Sequence, residues 1–312
     1  MQAAHVIVPR RGFTLIEMVF VILILGVIGT SFGVFVIPAV RASRAIEQRA
    51  ALIDSAEIAL RRMTRDIRIA LPNSIRVSSI AGTGFAVEMI PTIDGGRFCA
   101  SGEANCSGAN QLLAIGSPDS DFDVVGCFRN PAFTGAAFPS TAFRLVIGDA
   151  AGTVYTAAGA SAVLSAAGTG ITLTTVNGGG AGAGACGTSS GVGPPATSYR
   201  HHINLSAAQT FPQPSGRRRV YVIDRPVAYI CNITAGTLTR YYSYPISSVA
   251  PTPTSPPAGA TSALVTDKIS DCSVATSTST VQANGFVKLS ISLTNGGEAV
   301  QLVSEAQLDN SI

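Results

Sequence analysis

Hydrophobic and polar positions divide this chain into three regimes. From Phe13 to Val40 it is apolar almost without interruption, 28 residues carrying one charge, Glu17. As a helix that run is roughly 42 Å long, enough to cross a bilayer, so it predicts a membrane span over 13–40. The pattern then turns amphipathic, with Ile46, Ile53, Leu60 and Ile67 recurring every seven residues beside Ala50, Ala56, Met63 and Ala70. This predicts that the same helix continues over 41–71 with one apolar stripe. Pro38, lacking a backbone donor, should kink it, and Pro72 should end it by driving Leu71 out of helical geometry. Seven arginines (Arg41, Arg44, Arg49, Arg61, Arg62, Arg65, Arg68) and four acids (Glu47, Asp54, Glu57, Asp66) are left for the other face, which reads as solvated.

From Ser74 the period becomes two. SIRVSSI, FAVEMI, QLLAI, FDVVGCF and TAFRLVIG predict short antiparallel strands, and RVYVI, PVAYIC and TLTRYY predict a later group. Between the groups, 13 glycines in the 50 residues 148–197 supply little apolar surface, so a loop-rich insertion is expected, with strands possible at Val154–Tyr155, Ala162–Leu164 and Ile171–Val176. The Pro-Thr stretch 245–262 reads as a tether or exposed loop outside the core. The clearest hairpin is the last: Val287, Leu289, Ile291 and Leu293 alternate with polar residues, Asn295-Gly296-Gly297 turns, and EAVQLVSEAQL returns. The expected fold class is α+β, a long N-terminal helix packed on an antiparallel, sheet-rich domain over 72–312.

The start of the span carries chemistry. A secretory signal peptide has its cleavage site after the apolar core, whereas Arg10-Arg11-Gly12 precedes it here and no A-x-A site follows. Gly12 would let the backbone into a peptidase site that has no room for a Cβ. Glu17 within hydrocarbon costs about 2.5 to 3.5 kcal/mol unless it is paired, and its natural partner is an amine. The two arginines place the preceding segment in the cytoplasm and everything after Val40 outside it. The G-F-T-L-I-E pattern behind two arginines resembles the class III leader of type IV pilins and type II secretion pseudopilins. The resemblance implies a leader over 1–12, cleavage between Gly12 and Phe13 and N-methylation of Phe13 by a prepilin peptidase/methyltransferase. It also implies assembly through Glu17, paired with the N-terminal amine of a neighbouring pilin.

Composition excludes several other classes. The 21 basic and 18 acidic residues give a net charge of +3, which falls to +1 once Arg10 and Arg11 leave, so no nucleic-acid partner is expected. Arg217-Arg218-Arg219 is a compact positive patch that could meet DNA or lipid headgroups, but its place between a Pro-rich turn and a strand reads as a solvated strand start. Gly187–Gly191 fits G-x-S-x-G, and Gly182, Gly184 and Gly187 fit G-x-G-x-x-G, yet low complexity and prolines surround them in place of the strand and helix those motifs need. His201 and His202, adjacent on an extended segment, point to opposite faces and could not readily share a metal. No cofactor, no metal and no enzymatic activity are expected. Six cysteines in an exported region imply disulfides with fifteen possible connectivities. Cys99 and Cys106 flank a loop that reads as stapled on itself.

Further stretches extend the resemblance: RRMTRDIRIALPNSIRV, EMIPTIDGGRF, FDVVG, VYVIDRPVAYIC followed by GTLTRYYSY, ALVTDKISDC, and LDN near the end. Together they resemble the O-type minor pilins of MSHA-class type IV pili. The resemblance implies a Cys231–Cys272 bond; Cys99, Cys106, Cys127 and Cys186, and the ending Ser311-Ile312, depart from its pattern, which leaves the pairing of Cys127 and Cys186 open. It further implies an inner-membrane protein with a periplasmic domain that passes to a surface fibre, helps to start assembly near its tip, and meets other pilins, membrane lipid and the assembly platform. A large J-type pseudopilin of type II secretion and a membrane-tethered adhesin with its own ligand are the alternatives.

Overall fold

The computed structural model of the chain describes residues 12–100, 112–125, 128, 143–148, 153–156, 171–176, 200–211, 217–277 and 285–308. The first element, α1 (Leu15–Arg68), is one uninterrupted helix of 54 residues with Pro38 inside it, about 81 Å long at 1.5 Å per residue. Arg65 and Arg68 in its last turn complement the negative end of the helix dipole. It ends at Ile69, and the Leu71 amide already donates to Ile90 O at 2.7 Å.

The buried stripe is Leu52, Ala56, Ala59, Leu60, Met63 and Ile67. The expected stripe is therefore right only in its second half: Ile46 is 69% and Ile53 40% exposed, and Ala50 is also outside. A strict seven-residue repeat drifts about 20° per heptad on a straight helix, so it cannot stay on one flat sheet face. Before Leu52, moreover, the helix has little sheet to lie on.

Fourteen strands follow among the described residues: β1 (Arg76–Ile80), β2 (Gly84–Met89), β3 (Thr92–Phe98), β4 (Pro118–Val125), β5 (Arg144–Ile147), β6 (Ile171–Val176), β7 (Arg200–Thr210), β8 (Arg219–Ile223), β9 (Val227–Asn232), β10 (Thr237–Tyr242), β11 (Thr261–Thr266), β12 (Ile269–Ser277), β13 (Phe286–Asn295) and β14 (Glu298–Gln307). They form three antiparallel sheets, ordered β1-β2-β9-β10-β11, β12-β13-β14 and β5-β8-β3-β4-β7-β6. The helix, the five-stranded sheet and the three-stranded sheet share one core, in which Leu60, Met63, Phe85, Tyr229, Leu289 and Ile291 meet. Each such large apolar side chain contributes about 1.5 to 3 kcal/mol by leaving water. The six-stranded sheet has a separate core that includes Phe98, Phe122, Phe128, Phe211 and Val222. It is inserted between β2 and β9, which themselves pair from Gly84↔Asn232 to Met89↔Val227. A smaller cluster containing Leu71, Ile90, Val146, Tyr155 and Ile223 joins the two cores.

Several expected strands are corrected. The described part of QLLAI, Leu112 to Ile115, forms none: Leu113 is buried, but in a loop where Asp119 Oδ2 accepts from the Ala114 amide at 2.7 Å. Val154 and Tyr155 lie in a single 3-10 turn, Thr153–Tyr155, which turns both side chains into the joining cluster. Ala162–Leu164 and the two Gly motifs lie outside the described residues. The Pro-Thr stretch is not a free tether, since Pro251 and Pro253 are buried and Thr261 and Ser262 already belong to β11. Its first turn is held by Arg76, whose guanidinium donates to the carbonyls of Ser247 at 2.8 Å, Val249 at 3.0 Å and Ser248 at 3.1 Å. Arg76 also pairs with buried Glu88 and lies 3.8 Å from the centre of the Tyr155 ring.

Candidate functional site: the N-terminal helix and its seat

Gly12, Phe13 and Thr14 precede the helix, and the Thr14 backbone is extended (ψ 149°). The Gly12–Phe13 bond is therefore in non-helical chain, and among the described residues no atom beyond the chain neighbours lies within 4 Å of a Cβ at Gly12. The glycine is not required by this fold. Thr14 is the N-cap: its Oγ1 accepts from the Glu17 amide at 3.3 Å, and its carbonyl accepts from Glu17 N at 3.1 Å and Met18 N at 3.2 Å. Thr14 and Glu17 stand in the T-x-x-E spacing of a capping box, a signal that could have assigned Thr14 a role from sequence.

Glu17 lies in the first helical turn, exposed, with no ion-pair partner among the described residues. Phe13 is 78% exposed, and Leu15, Ile16, Val19 and Phe20 are also exposed. No residue of the most apolar helical window is buried, so the helix presents a candidate membrane span whose apolar surface the rest of the chain leaves uncovered. Within it, the Thr30 and Ser31 hydroxyls both donate to Val27 O at 2.9 Å, leaving neither donor unsatisfied in an apolar surrounding.

The other half of the helix is fixed in its seat by polar contacts within an apolar interface. Ser55 Oγ and Thr266 Oγ1 are 2.7 Å apart, and Thr64 Oγ1 and Ser304 Oγ are 3.2 Å apart. Asp66, expected on the solvated face, is buried at 6% exposure. Its Oδ2 accepts from Tyr229 Oη at 2.7 Å on β9 and from Arg240 Nε at 3.1 Å on β10, so the acid is turned inward by two partners that sequence spacing does not reveal. Burial first, then the Asp66 hydrogen bond and charge, pushes the Tyr229 hydroxyl far above its ordinary pKa of 10.0. Burial is also the largest effect on Glu88, raising its carboxyl although Arg76 and the Tyr244 hydroxyl, donating at 2.8 Å, pull it down.

Cys231 on β9 and Cys272 on β12 are bonded, with their Cα atoms 6.7 Å apart. This is the pairing the resemblance implies, and it ties the five-stranded sheet to the three-stranded one. Gly84 lies beside it with φ +130°, where a Cβ would come within 2.1 Å of the Cys231 carbonyl oxygen. Cys99 is buried and disulfide-bonded, but Cys106, Cys127 and Cys186 lie outside the described residues. His201 and His202 separate as their spacing predicts. His201 Nδ1 accepts from the Phe128 amide at 3.0 Å, and His202 Nδ1 lies 2.8 Å from Asp123 Oδ1.

No curated protein and no solved structure matches the chain. Residues 9–32 match the family described as Prokaryotic N-terminal methylation motif, which supports a type IV pilin-like protein and hence processing by a prepilin peptidase and assembly with other pilins.

Proposed function

We propose that this chain is a minor pilin of a type IV pilus of the MSHA class, entering the fibre through its N-terminal helix and helping to start assembly at the tip. Residues 1–12 are the leader, cut between Gly12 and Phe13 before Phe13 is methylated. Residues 13–40 hold the protein in the inner membrane with the sheets in the periplasm until assembly carries them to the surface. The observation that carries this reading is the uncovered apolar half of α1, with a carboxylate, Glu17, in its first turn beside the N-terminus that cleavage would create. An unpaired carboxylate in hydrocarbon costs about 2.5 to 3.5 kcal/mol, and pairing with a neighbouring subunit's amine offsets that cost. The charge therefore selects helices already in the membrane as partners.

A Glu17→Val chain tests this. It should enter the membrane and form the Cys231–Cys272 bond as wild type does, yet be missing from sheared fibres and from complexes captured on other pilins. Equal incorporation of the variant would remove Glu17 from assembly. Capture with secretion components in place of pilins would reassign the chain to a type II pseudopilin.

A further inference from the structure

We propose that the inserted six-stranded sheet carries a binding site for an acidic polysaccharide, built by Arg97, Arg217, Arg218 and Arg219 with Tyr221. This goes beyond the assembly role and does not depend on it. Four of the seven arginines in residues 92–223 line one hollow of about 360 Å³. In a regular strand the side chains of Arg217 and Arg219 would share a face and Arg218 would oppose them. Arg218 has φ +54°, a left-handed conformation uncommon outside glycine, which interrupts that alternation where the chain enters β8. The Arg218 carbonyl accepts from the Phe98 amide at 2.9 Å, fixing the turn against β3. Arg97 and Arg219 are direct cross-strand partners in the β3–β8 register.

A second hollow of about 460 Å³ adjoins the first and shares Arg97 and Arg219 with it; Asp94, Gly95, Gly96 and Tyr221 contribute to its lining. Both volumes fall in the range of small-ligand sites. Gly95 has no side chain to cover the Tyr221 ring, since a Cβ there would lie 3.3 Å from Cδ1 of that ring. The two hollows therefore combine forked cations, an aromatic ring and the Asp94 carboxylate. A ligand bearing both carboxylates and hydroxyls satisfies all three: guanidiniums grip its acid groups, the ring receives the apolar face of a sugar, and Asp94 accepts from sugar hydroxyls. Duplex DNA fits less well, because it needs an extended basic track and would bring phosphates against Asp94. Residues 92–223 hold seven arginines against six acids, a net charge of only +1.

The test uses the full-length chain in non-ionic detergent, titrated with polygalacturonate, neutral dextran and a DNA duplex. Polygalacturonate should bind in a salt-sensitive manner, with dextran and the duplex each at least tenfold weaker. Arg217→Gln, in the exposed turn and outside both cores, should weaken polygalacturonate about tenfold at unchanged melting temperature, and Arg217→Gln with Arg219→Gln about a hundredfold. Tyr221→Leu should narrow the preference for polygalacturonate over inorganic phosphate, which a purely electrostatic patch would not show. Absent polygalacturonate binding, equal binding of dextran, tighter binding of the duplex, or wild-type affinity in Arg217→Gln would each overturn the proposal. Glu17→Val should bind as wild type does, so a failed assembly role and a failed sugar site give different results.

Discussion

The Tyr229 hydroxyl on β9 donates to the Asp66 carboxylate on α1 across 2.7 Å, and this bond joins the long helix to the sheet at a point neither partner exposes to water. Arg240 shares the same oxygen and lies 5.4 Å from the centre of the Tyr242 ring. Removing the acid leaves a half-buried guanidinium and a buried hydroxyl without their acceptor. Asp66→Ala is expected to destabilise the domain by about 2 to 4 kcal/mol, and Asp66→Asn by less, because the amide oxygen still accepts. Denaturant unfolding of the two variants checks the order. Equal loss in both would mean that the negative charge, and not the shape or the accepting oxygen, carries the effect.

Tyr229 and Tyr244 predict a fall in stability on the alkaline side. Burial comes first among the causes that raise both hydroxyls above 10.0, with Asp66 and Glu88 respectively as the charged neighbours. The folded state keeps these protons while the unfolded chain releases them. The stability they contribute is thus fully present below about pH 10 and is lost above it, at no more than about 1.4 kcal/mol per pH unit for each tyrosine. Melting temperature followed from about pH 9 to pH 11 should drop more steeply in wild type than in Tyr229→Phe. Parallel curves would discard the assignment.

The Cys231–Cys272 bond closes a separation of 41 residues that includes the Pro-Thr loop. On the chain-entropy account, replacing both cysteines by alanine should cost about 4 kcal/mol. The hairpin β13–β14 should survive locally, since ten register pairs from Phe286↔Gln307 to Asn295↔Glu298 hold it independently of the bond. Amide exchange would show this as faster opening of β12 with β13–β14 still protected. Uniform loss of protection would contradict it.

Gly12 is predicted to matter to processing alone. Among the described residues no atom beyond the chain neighbours lies within 4 Å of a Cβ built there, so Gly12→Ala should leave the melting temperature unchanged. The variant should nevertheless keep its leader, which intact-mass measurement reads directly. A shortened mass for Gly12→Ala would show that the peptidase tolerates a side chain at this position.

What could be read from the sequence follows from how much each element depends on distant partners. The terminal hairpin carries its own instructions: Val287, Leu289, Ile291 and Leu293 alternate toward one face, and Gly296 supplies the left-handed turn while passing beneath Gln48. The membrane-length helix is similarly local. β3 and β12 are different, because TIDGGRF and ISDCSVATS have weak alternation and few large apolar residues. They become strands through their neighbours, Arg97 pairing Arg219 and Cys272 pairing Ile291. QLLAI fails the other way, being apolar enough for a strand while a side-chain hydrogen bond holds its backbone in a loop. Asp66 illustrates the same limit at the helix seat: its period on α1 resembles that of the solvated acids, and only β9 and β10 turn it inward.

The insertion point of the six-stranded sheet has a mechanical consequence. The chain leaves the helix-bearing sheet after Met89 and returns at Val227, and these two residues are register partners. Tension applied along α1 therefore enters β9 and β10 through the Asp66 seat and crosses to β12 through Cys231 and Cys272, while the Thr92 amide, which donates to Ile69 O at 2.8 Å, and the cluster around Leu71 pass part of it to the inserted sheet. The inserted sheet is loaded most directly when something grips it from outside. Its two neighbouring junctions then share the pull, while the seat of the helix takes it in series with them.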